Sequence, residues 1–136
     1  GLPDKFVFSY HGIPQRNLEQ GDPYYCFCMQ STKLVAKQLE LADELAITTF
    51  QSRFGKATWL QPYTDATLKS LPANGSKRVA IICPGFSADC LETLEEIMEE
   101  NKEYFMESGG ESYDYIPCLN SNEEHIDMMF SLIDKP

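Results

Sequence analysis

One of the chain's two histidines stands where a side chain can do chemistry. His11 follows an apolar run that begins at Lys5, and Gly12 and Pro14 shape the turn behind it. A neutral imidazole accepts a proton or binds a transition metal through a ring nitrogen. On its own, a structural role for His11 is slightly favoured over a functional one. His125 lies among acids on a predicted helix, so we expect it to be exposed and without a role.

A row of carboxylates is the second candidate. Glu92, Glu96 and Glu100 are spaced four residues apart on a predicted helix, so they share one stripe. Like charges at that spacing repel by a few tenths of a kcal/mol per pair, which solvent or a cation relieves. Oxygen donors with an imidazole nearby suit Fe²⁺. Two simpler interpretations stay open: a solvated helix face, and a helix cap formed by Asp89 and Glu92.

The segment after the second predicted strand offers two side chains that suit a flat, charged ligand. Trp59, the only tryptophan, can lie against an aromatic ring system, and Arg53 can meet a carboxylate. Either side chain can instead pack against the hydrophobic core and have no ligand. Cys26 and Cys28 are one residue closer than the common metal-binding pair, and no second pair follows, which argues against an iron–sulfur cluster.

Composition excludes several classes of partner. The 136 residues carry a formal net charge of -10, which disfavours nucleic acid and anionic membrane surfaces. The sequence contains neither a membrane-spanning run nor a signal peptide, and its five cysteines are odd in number and widely spread. We therefore expect one cytoplasmic domain with reduced thiols.

The elements that must position these residues alternate between strand and helix. A parallel sheet of four strands, with helices on both faces, is the predicted α/β fold. The strands are predicted at residues 5–9, 45–50, 78–83 and 112–117, and the helices at 31–43, 64–71, 91–106 and 123–133. Pro72 should end the second helix. Ligands of such sheets lie beyond the carboxyl ends of the strands, where His11 and Glu92 are both predicted.

Apolar spacing predicts which side of each helix faces the sheet. The inward residues are predicted to be Leu34, Val35, Leu39 and Ala42 in the first helix, Leu91, Leu94, Met98, Asn101 and Phe105 in the third, and Ile126, Met129, Phe130 and Ile133 in the last.

Five motifs in order resemble one known family. They are SYHGIP at 9–14, GDPY at 21–24, FQSR at 50–53, WLQPYTD at 59–65 and PGFSADCLETLEE at 84–96. Together they resemble the C-terminal domain of ferrochelatase, in the form of the motifs that proteobacterial members have. The resemblance covers nearly all of residues 1–136 and implies one flavodoxin-like half of a class II chelatase, whose N-terminal domain is absent here.

The resemblance also implies an activity and a set of site residues. Ferrochelatase is a lyase of haem biosynthesis that inserts Fe²⁺ into protoporphyrin IX. By this resemblance His11 and Glu92 are catalytic and contact iron, and Glu96 and Glu100 handle metal. Tyr10, Ser52, Arg53 and Trp59 are implied to bind the porphyrin. Iron is then a substrate and no tightly bound cofactor is expected. The isolated domain should be inactive without its N-terminal partner.

Two alternatives remain open from the sequence. A chelatase for another metal and another tetrapyrrole would share the fold and the histidine and glutamate residues. A non-catalytic flavodoxin-like module would bind a partner protein and have no porphyrin affinity. The choice between protoporphyrin and coproporphyrin and the oligomeric state also stay open.

Overall fold

The fold is built on a parallel sheet of four strands. The structure, a computed structural model, describes residues 2–134. Its strands are β1 (Lys5–His11), β2 (Ala46–Gln51), β3 (Arg78–Ile82) and β4 (Ser112–Ile116), in the order β2-β1-β3-β4. All three pairings are parallel. The predicted sheet is confirmed, with strand ends shifted by one or two residues.

Helices cover both faces of this sheet, as predicted. Side chains alternate along a strand, so Val7 of β1 faces one side and Phe8 the other. Helix α2 (Tyr24–Gln38) packs on the face that contains Phe8 and Phe50. Helix α3 (Thr64–Ser70) and the helix at residues 91–107 cover the face of Val7. The two apolar clusters therefore lie on opposite sides of β1.

Helix α2 begins earlier than predicted and turns a different side to the sheet. A short helix α1 (Gln15–Glu19) precedes it, and the Asp22 carboxylate then accepts the N–H of Tyr24 at 2.9 Å. Its buried residues are Cys28, Thr32 and Ala36. The predicted inward residues Leu34 and Leu39 are 60% and 58% exposed, and Ala42 lies beyond the helix. Val35 packs against the core as predicted. The other three residues were wrong because small side chains, four residues apart, make the main contact with the sheet.

The helix at residues 91–107 contains a π-helical stretch, which changes its inward face. It runs from α4 (Leu91–Thr93) through π-helical Leu94–Asn101 into α5 (Lys102–Glu107). We call the whole element helix 91–107. Its buried residues recur every four positions: Thr93, Ile97, Asn101 and Phe105.

The physical reason is the wider turn of a π-helix. In an α-helix, residues four positions apart differ by about 40° in their direction around the helix axis. The i→i+5 hydrogen bonds of a π-helix put more residues into each turn, so the same spacing turns the other way. Mixing the two keeps a four-residue repeat on one side. The predicted inward residues Leu91, Leu94 and Met98 are therefore 72%, 42% and 38% exposed, while Asn101 and Phe105 are buried as predicted.

Helix α6 (Glu123–Ile133) forms where predicted, but its inward face was wrong. Ile126, Met129, Phe130 and Ile133 are 38%, 40%, 66% and 81% exposed. The buried residue of this helix is His125, which was predicted to be exposed. Its Nδ1 lies 2.7 Å from the backbone oxygen of Asn120. A polar contact with the preceding loop, rather than the apolar stripe, orients α6.

Helix α3 ends where the sequence predicted. Its last residue is Ser70, and Pro72 begins a 3₁₀ turn, which confirms the predicted stop. No helix within residues 2–134 has the length and apolar character needed to cross a membrane.

Candidate functional site at the carboxyl edge of the sheet

The strand order places a switch point between β1 and β3. Chain connections leave these two neighbouring strands in opposite directions across the sheet, and ligands of such folds bind in the crevice at that point. His11 is the last residue of β1. Glu92 lies in the first turn of the helix that follows β3. The structure thus places both predicted residues at the same edge, beside the switch point.

Hydrogen bonds to the backbone orient the His11 imidazole and its loop. His11 Nδ1 lies 2.8 Å from the carbonyl oxygen of Gly12, and Tyr24 donates its hydroxyl to the carbonyl of His11 at 2.7 Å. A carbonyl oxygen only accepts, so Nδ1 carries the proton in the neutral ring. Nε2 is left with a free lone pair for a proton or a metal.

Gly12 allows the loop after β1 to pass close to its neighbours. A Cβ at this position would lie 3.1 Å from both the backbone oxygen of Gln51 and Cε3 of Trp59. The Gly12 N–H donates to that Gln51 oxygen at 2.8 Å. Two further backbone bonds, from Gln15 to Thr58 and from Leu60 to Ile13, join this loop to the segment after β2.

Two of the residues that were predicted to bind porphyrin are buried. Trp59 is 6% exposed; its ring centroid lies 4.9 Å from that of Phe54 and 6.5 Å from that of His11. Tyr10 is 3% exposed and its hydroxyl pairs with Thr32 at 3.0 Å, on the α2 side of the sheet. The Tyr10 ring belongs to the core in this structure, and its predicted contact with porphyrin stays a prediction. Phe54, which is 74% exposed, forms the outer surface beside Trp59.

The three predicted glutamates line one surface depression. Its volume is about 360 Å³, and its walls include Glu92, Glu96 and Glu100 together with Ser52 and Arg53. The four-residue repeat of helix 91–107 keeps these acids in line, as it does their buried neighbours. The predicted stripe is therefore present, and it faces a concave surface rather than open solvent alone.

Glu96 is the carboxylate held most firmly in this depression. Ser52 donates its backbone N–H at 2.8 Å and its hydroxyl at 2.5 Å, and the side-chain amide of Gln51 donates at 3.3 Å. Ser52 adopts a positive φ of 67°, which turns its N–H toward the helix. Ser52 thus binds a glutamate in this structure, and its predicted contact with porphyrin stays a prediction.

Arg53 is occupied by a neighbouring acid. Its guanidinium donates to both oxygens of Asp65 at 2.7 and 3.1 Å and lies 3.9 Å from the centroid of the Tyr63 ring. Its side chain remains 40% exposed. A ligand carboxylate would have to compete with Asp65 for this cation.

Glu92 shares the electrostatic environment of His11. A hydrogen bond from the Cys90 thiol is the main cause that lowers the pKa of Glu92, its own backbone N–H adds to this, and the charge of His11 acts in the same direction. Cys90, not Asp89, is the N-cap of this helix: Thr93 Oγ1 accepts the Cys90 N–H at 2.9 Å. The cap predicted from Asp89 and Glu92 was therefore wrong, and Glu92 is left free of that role.

Asp89 instead joins the loops after β3 and β4. It accepts hydrogen bonds from Tyr115, from Thr93 at 3.0 Å and from the side chain of Asn120 at 2.8 Å. Burial acts to raise the pKa of Asp89, but these bonds lower it to about 2. The start of helix 91–107 is thereby tied to the segment that leads into α6.

The site residues form a line rather than a closed metal cage. Within residues 2–134, no three side chains among His, Cys, Asp and Glu converge closely enough to hold a metal ion. Cys26 is exposed and Cys28 is buried against the sheet, so the two thiols point to different surroundings.

Size alone does not identify the site. Two larger depressions, of about 570 and 750 Å³, lie along α2, with Lys33 and Asp43 in the wall of each. They share no residue with the depression of the glutamates.

Sequence reasoning assigned no role to Gln51, although the structure puts its amide among the site residues. Gln51 is the last residue of β2 and lies opposite His11 in the parallel register. A polar residue that ends a buried parallel strand is the signal that points to it.

This fold and this edge define a parallel α/β domain that presents an imidazole and a row of carboxylates at its ligand-binding crevice. Comparison with known proteins identifies the family. The profile of the ferrochelatase family matches residues 1–136. The chain belongs to the ferrochelatase family.

Individual relatives agree with this assignment. The chain is 65% identical to "Ferrochelatase 2" of Shewanella oneidensis, in an alignment that covers 98% of this chain and 41% of that protein. It is 59% identical to the ferrochelatase of Idiomarina loihiensis, over 98% of this chain and 37% of that protein. The corresponding values for Shewanella denitrificans are 54%, 98% and 41%. The chain thus spans about two fifths of the length of the curated relatives it matches.

Proposed function

We propose that this chain is the C-terminal, metal-handling domain of a cytoplasmic ferrochelatase, a lyase that inserts Fe²⁺ into protoporphyrin IX. The observation that carries the proposal is the placement of His11 and the Glu92, Glu96 and Glu100 row at the β1/β3 switch point. Family membership and the relatives' names support it. Fe²⁺ and porphyrin are the substrates, and no tightly bound cofactor is required.

His11 is suited to take protons from the porphyrin. Metal insertion releases two pyrrole protons, and these need an acceptor at the ring. Nε2 of His11 has a free lone pair because Nδ1 is bonded to the carbonyl of Gly12 at 2.8 Å. A positioned imidazole base contributes about 10²- to 10⁴-fold to the rate.

The carboxylates are suited to the cation. Glu92 stays ionised because hydrogen bonds from the Cys90 thiol and from its own backbone N–H lower its pKa. Glu96 and Glu100 extend the negative charge along the same depression. Loose contacts along a line favour passing a divalent ion onward over trapping it, and the hard oxygen donors suit Fe²⁺.

The porphyrin needs a second wall. Along this edge the described residues offer Arg53, which is paired with Asp65, and an aromatic surface at Phe54 and Trp59. We propose that an N-terminal domain of the longer enzyme supplies the remaining contacts, and that the 136-residue chain alone forms no haem.

The test is haem formation by the longer enzyme, from Fe²⁺ and protoporphyrin IX, with His11→Ala compared with wild type. We expect a loss of about 100-fold or more in kcat. His125→Asn is the matched control: it replaces the other histidine, away from the site, and its amide keeps a donor near the position of Nδ1 for the Asn120 carbonyl. Measured below the melting temperature of the variant, turnover should stay within about twofold. Near-normal turnover of His11→Ala would refute the proposed role. Insertion of Co²⁺ or Ni²⁺ but not Fe²⁺ would reassign the metal.

A further inference from the structure

Gln51 occupies a central position that the proposed reaction has not used. It is 2% exposed and ends β2 directly opposite His11 in the register. Its backbone oxygen accepts the N–H of Gly12 at 2.8 Å. This backbone bond holds the His11 loop and is independent of the side chain at position 51.

The side-chain amide makes a second set of contacts. Its Oε1 accepts from the Ser9 hydroxyl at 2.8 Å and from the Cys83 thiol at 3.5 Å. Its Nε2 donates to the backbone oxygen of Glu92 at 2.7 Å and to the Glu96 carboxylate at 3.3 Å. One amide thus joins β1 and β3 to helix 91–107.

Chemistry determines which way this amide faces. The carbonyl of Glu92 and the carboxylate of Glu96 are acceptors, so the nitrogen must face the helix. Burial raises the pKa of the Cys83 thiol, which therefore stays protonated and donates to the oxygen. A glutamine in this orientation satisfies acceptors on one side and donors on the other.

We propose that Gln51 is a positioning residue that holds Glu92 and Glu96 in place relative to His11. The inference rests on the proposed function, because it concerns how those three residues act together. Gln51 itself is too buried to touch a substrate. Loss of its amide should therefore change the rate of metal insertion rather than porphyrin affinity.

One substitution and one binding measurement separate positioning from packing. Gln51→Met keeps the length and volume of the side chain but removes the hydrogen bonds of both amide atoms. In the longer enzyme, we expect it to lower kcat at least about tenfold, the loss expected from one hydrogen bond to a charged group. The KM for protoporphyrin IX should stay within about twofold. Assays are run well below the melting temperature of each variant.

A binding measurement covers the case in which Gln51→Met damages the fold. The affinity of the purified variant for protoporphyrin IX, measured by titration of the porphyrin fluorescence, should equal that of wild type, because Gln51 holds the two glutamates and does not line the porphyrin surface at Phe54 and Trp59.

The outcomes are distinct. If wild type makes haem and Gln51→Met has a kcat within twofold of it, the positioning role is wrong and the proposed function stands. A loss of porphyrin affinity as large as the loss of kcat would also overturn it. Absence of haem formation by the wild-type enzyme would remove the proposed function and this inference with it. Gln38→Met, at the exposed end of α2, is the matched control and should behave as wild type.

Discussion

The two helices that follow the last two strands are held in different ways. In helix 91–107, Thr93, Ile97 and Phe105 are each 0% exposed. In α6, Phe130 and Ile133 are 66% and 81% exposed, and the helix is anchored through His125. One helix belongs to the core, and the other lies on the surface of this chain.

Helix 91–107 is also fixed by polar contacts at its π-helical stretch. Tyr113 of β4 donates its hydroxyl to the carbonyl of Ile97 at 2.5 Å, and the Asn101 side chain donates to the carbonyl of Glu96 at 2.8 Å. These bonds support the turns that carry the glutamates. The site carboxylates therefore project from a helix that is buried in the core, whereas α6 is held mainly by polar contacts with the loop before it.

The largest expected effect tests this contrast in packing. Phe105→Ala removes a fully buried ring that contacts Tyr113, with centroids 5.9 Å apart. We expect it to lower the free energy of unfolding by about 3–5 kcal/mol. Phe130→Ala, the matched change in α6, should cost less than about 0.5 kcal/mol. Urea unfolding of both variants measures this. A similar cost for the two would show that α6 packs into the core in solution.

The sheet was predictable because its two central strands, β1 and β3, are short apolar runs that the core buries on both faces. Residues such as Val79 and Ile81 in β3 are 1% and 0% exposed, so the signal in their sequence is strong. The position of His11 and Glu92 at one edge then followed from parallel topology alone. Their placement needed no knowledge of side-chain contacts.

The inward helix faces were harder to predict, since α-helical spacing was assumed throughout. The π-helical stretch puts Ile97, rather than Leu94 and Met98, on the buried side. A buried polar residue such as Thr93 carries no apolar signal. The role of Gln51 was missed for a similar reason, because its contacts depend on three elements that are distant in sequence.

A change at Asp89, with an expected effect of intermediate size, tests the hydrogen bonds that join the start of helix 91–107 to the segment before α6. Asp89 has a pKa of about 2 against an ordinary value of 3.8, because hydrogen bonds from Tyr115, Asn120 and Thr93 outweigh burial. A carboxyl group whose pKa is lower in the folded protein than in the unfolded chain stabilises the fold at pH values above the unfolded pKa. This stabilisation is lost as the pH falls toward the pKa of the folded state. Asp89→Asn should therefore cost about 1 kcal/mol at pH 7, after allowance for solvent screening.

The pH dependence distinguishes this mechanism from simple loss of packing. The difference in unfolding free energy between wild type and Asp89→Asn should be constant at neutral pH and shrink between about pH 4 and pH 2. Asp114→Asn, on the exposed side of β4, serves as the control. A difference that persists unchanged at pH 2 would mean that the charge of Asp89 does not hold the two loops together.

The smallest expected effect concerns whether α6 opens on its own. Asn122 is the N-cap of α6, and its side chain accepts the N–H of His125 at 2.8 Å. Asn122→Ala should destabilise the helix by about 0.5–1 kcal/mol. Because α6 contacts little of the core, we expect the loss to appear as local opening: amide hydrogen exchange should quicken about two- to fivefold in residues 126–133. Amides of helix 91–107 provide the internal reference and should not change. Equal acceleration in both helices would instead mean that the His125 contact couples α6 to the site, so that the surface helix and the core helix unfold as one unit.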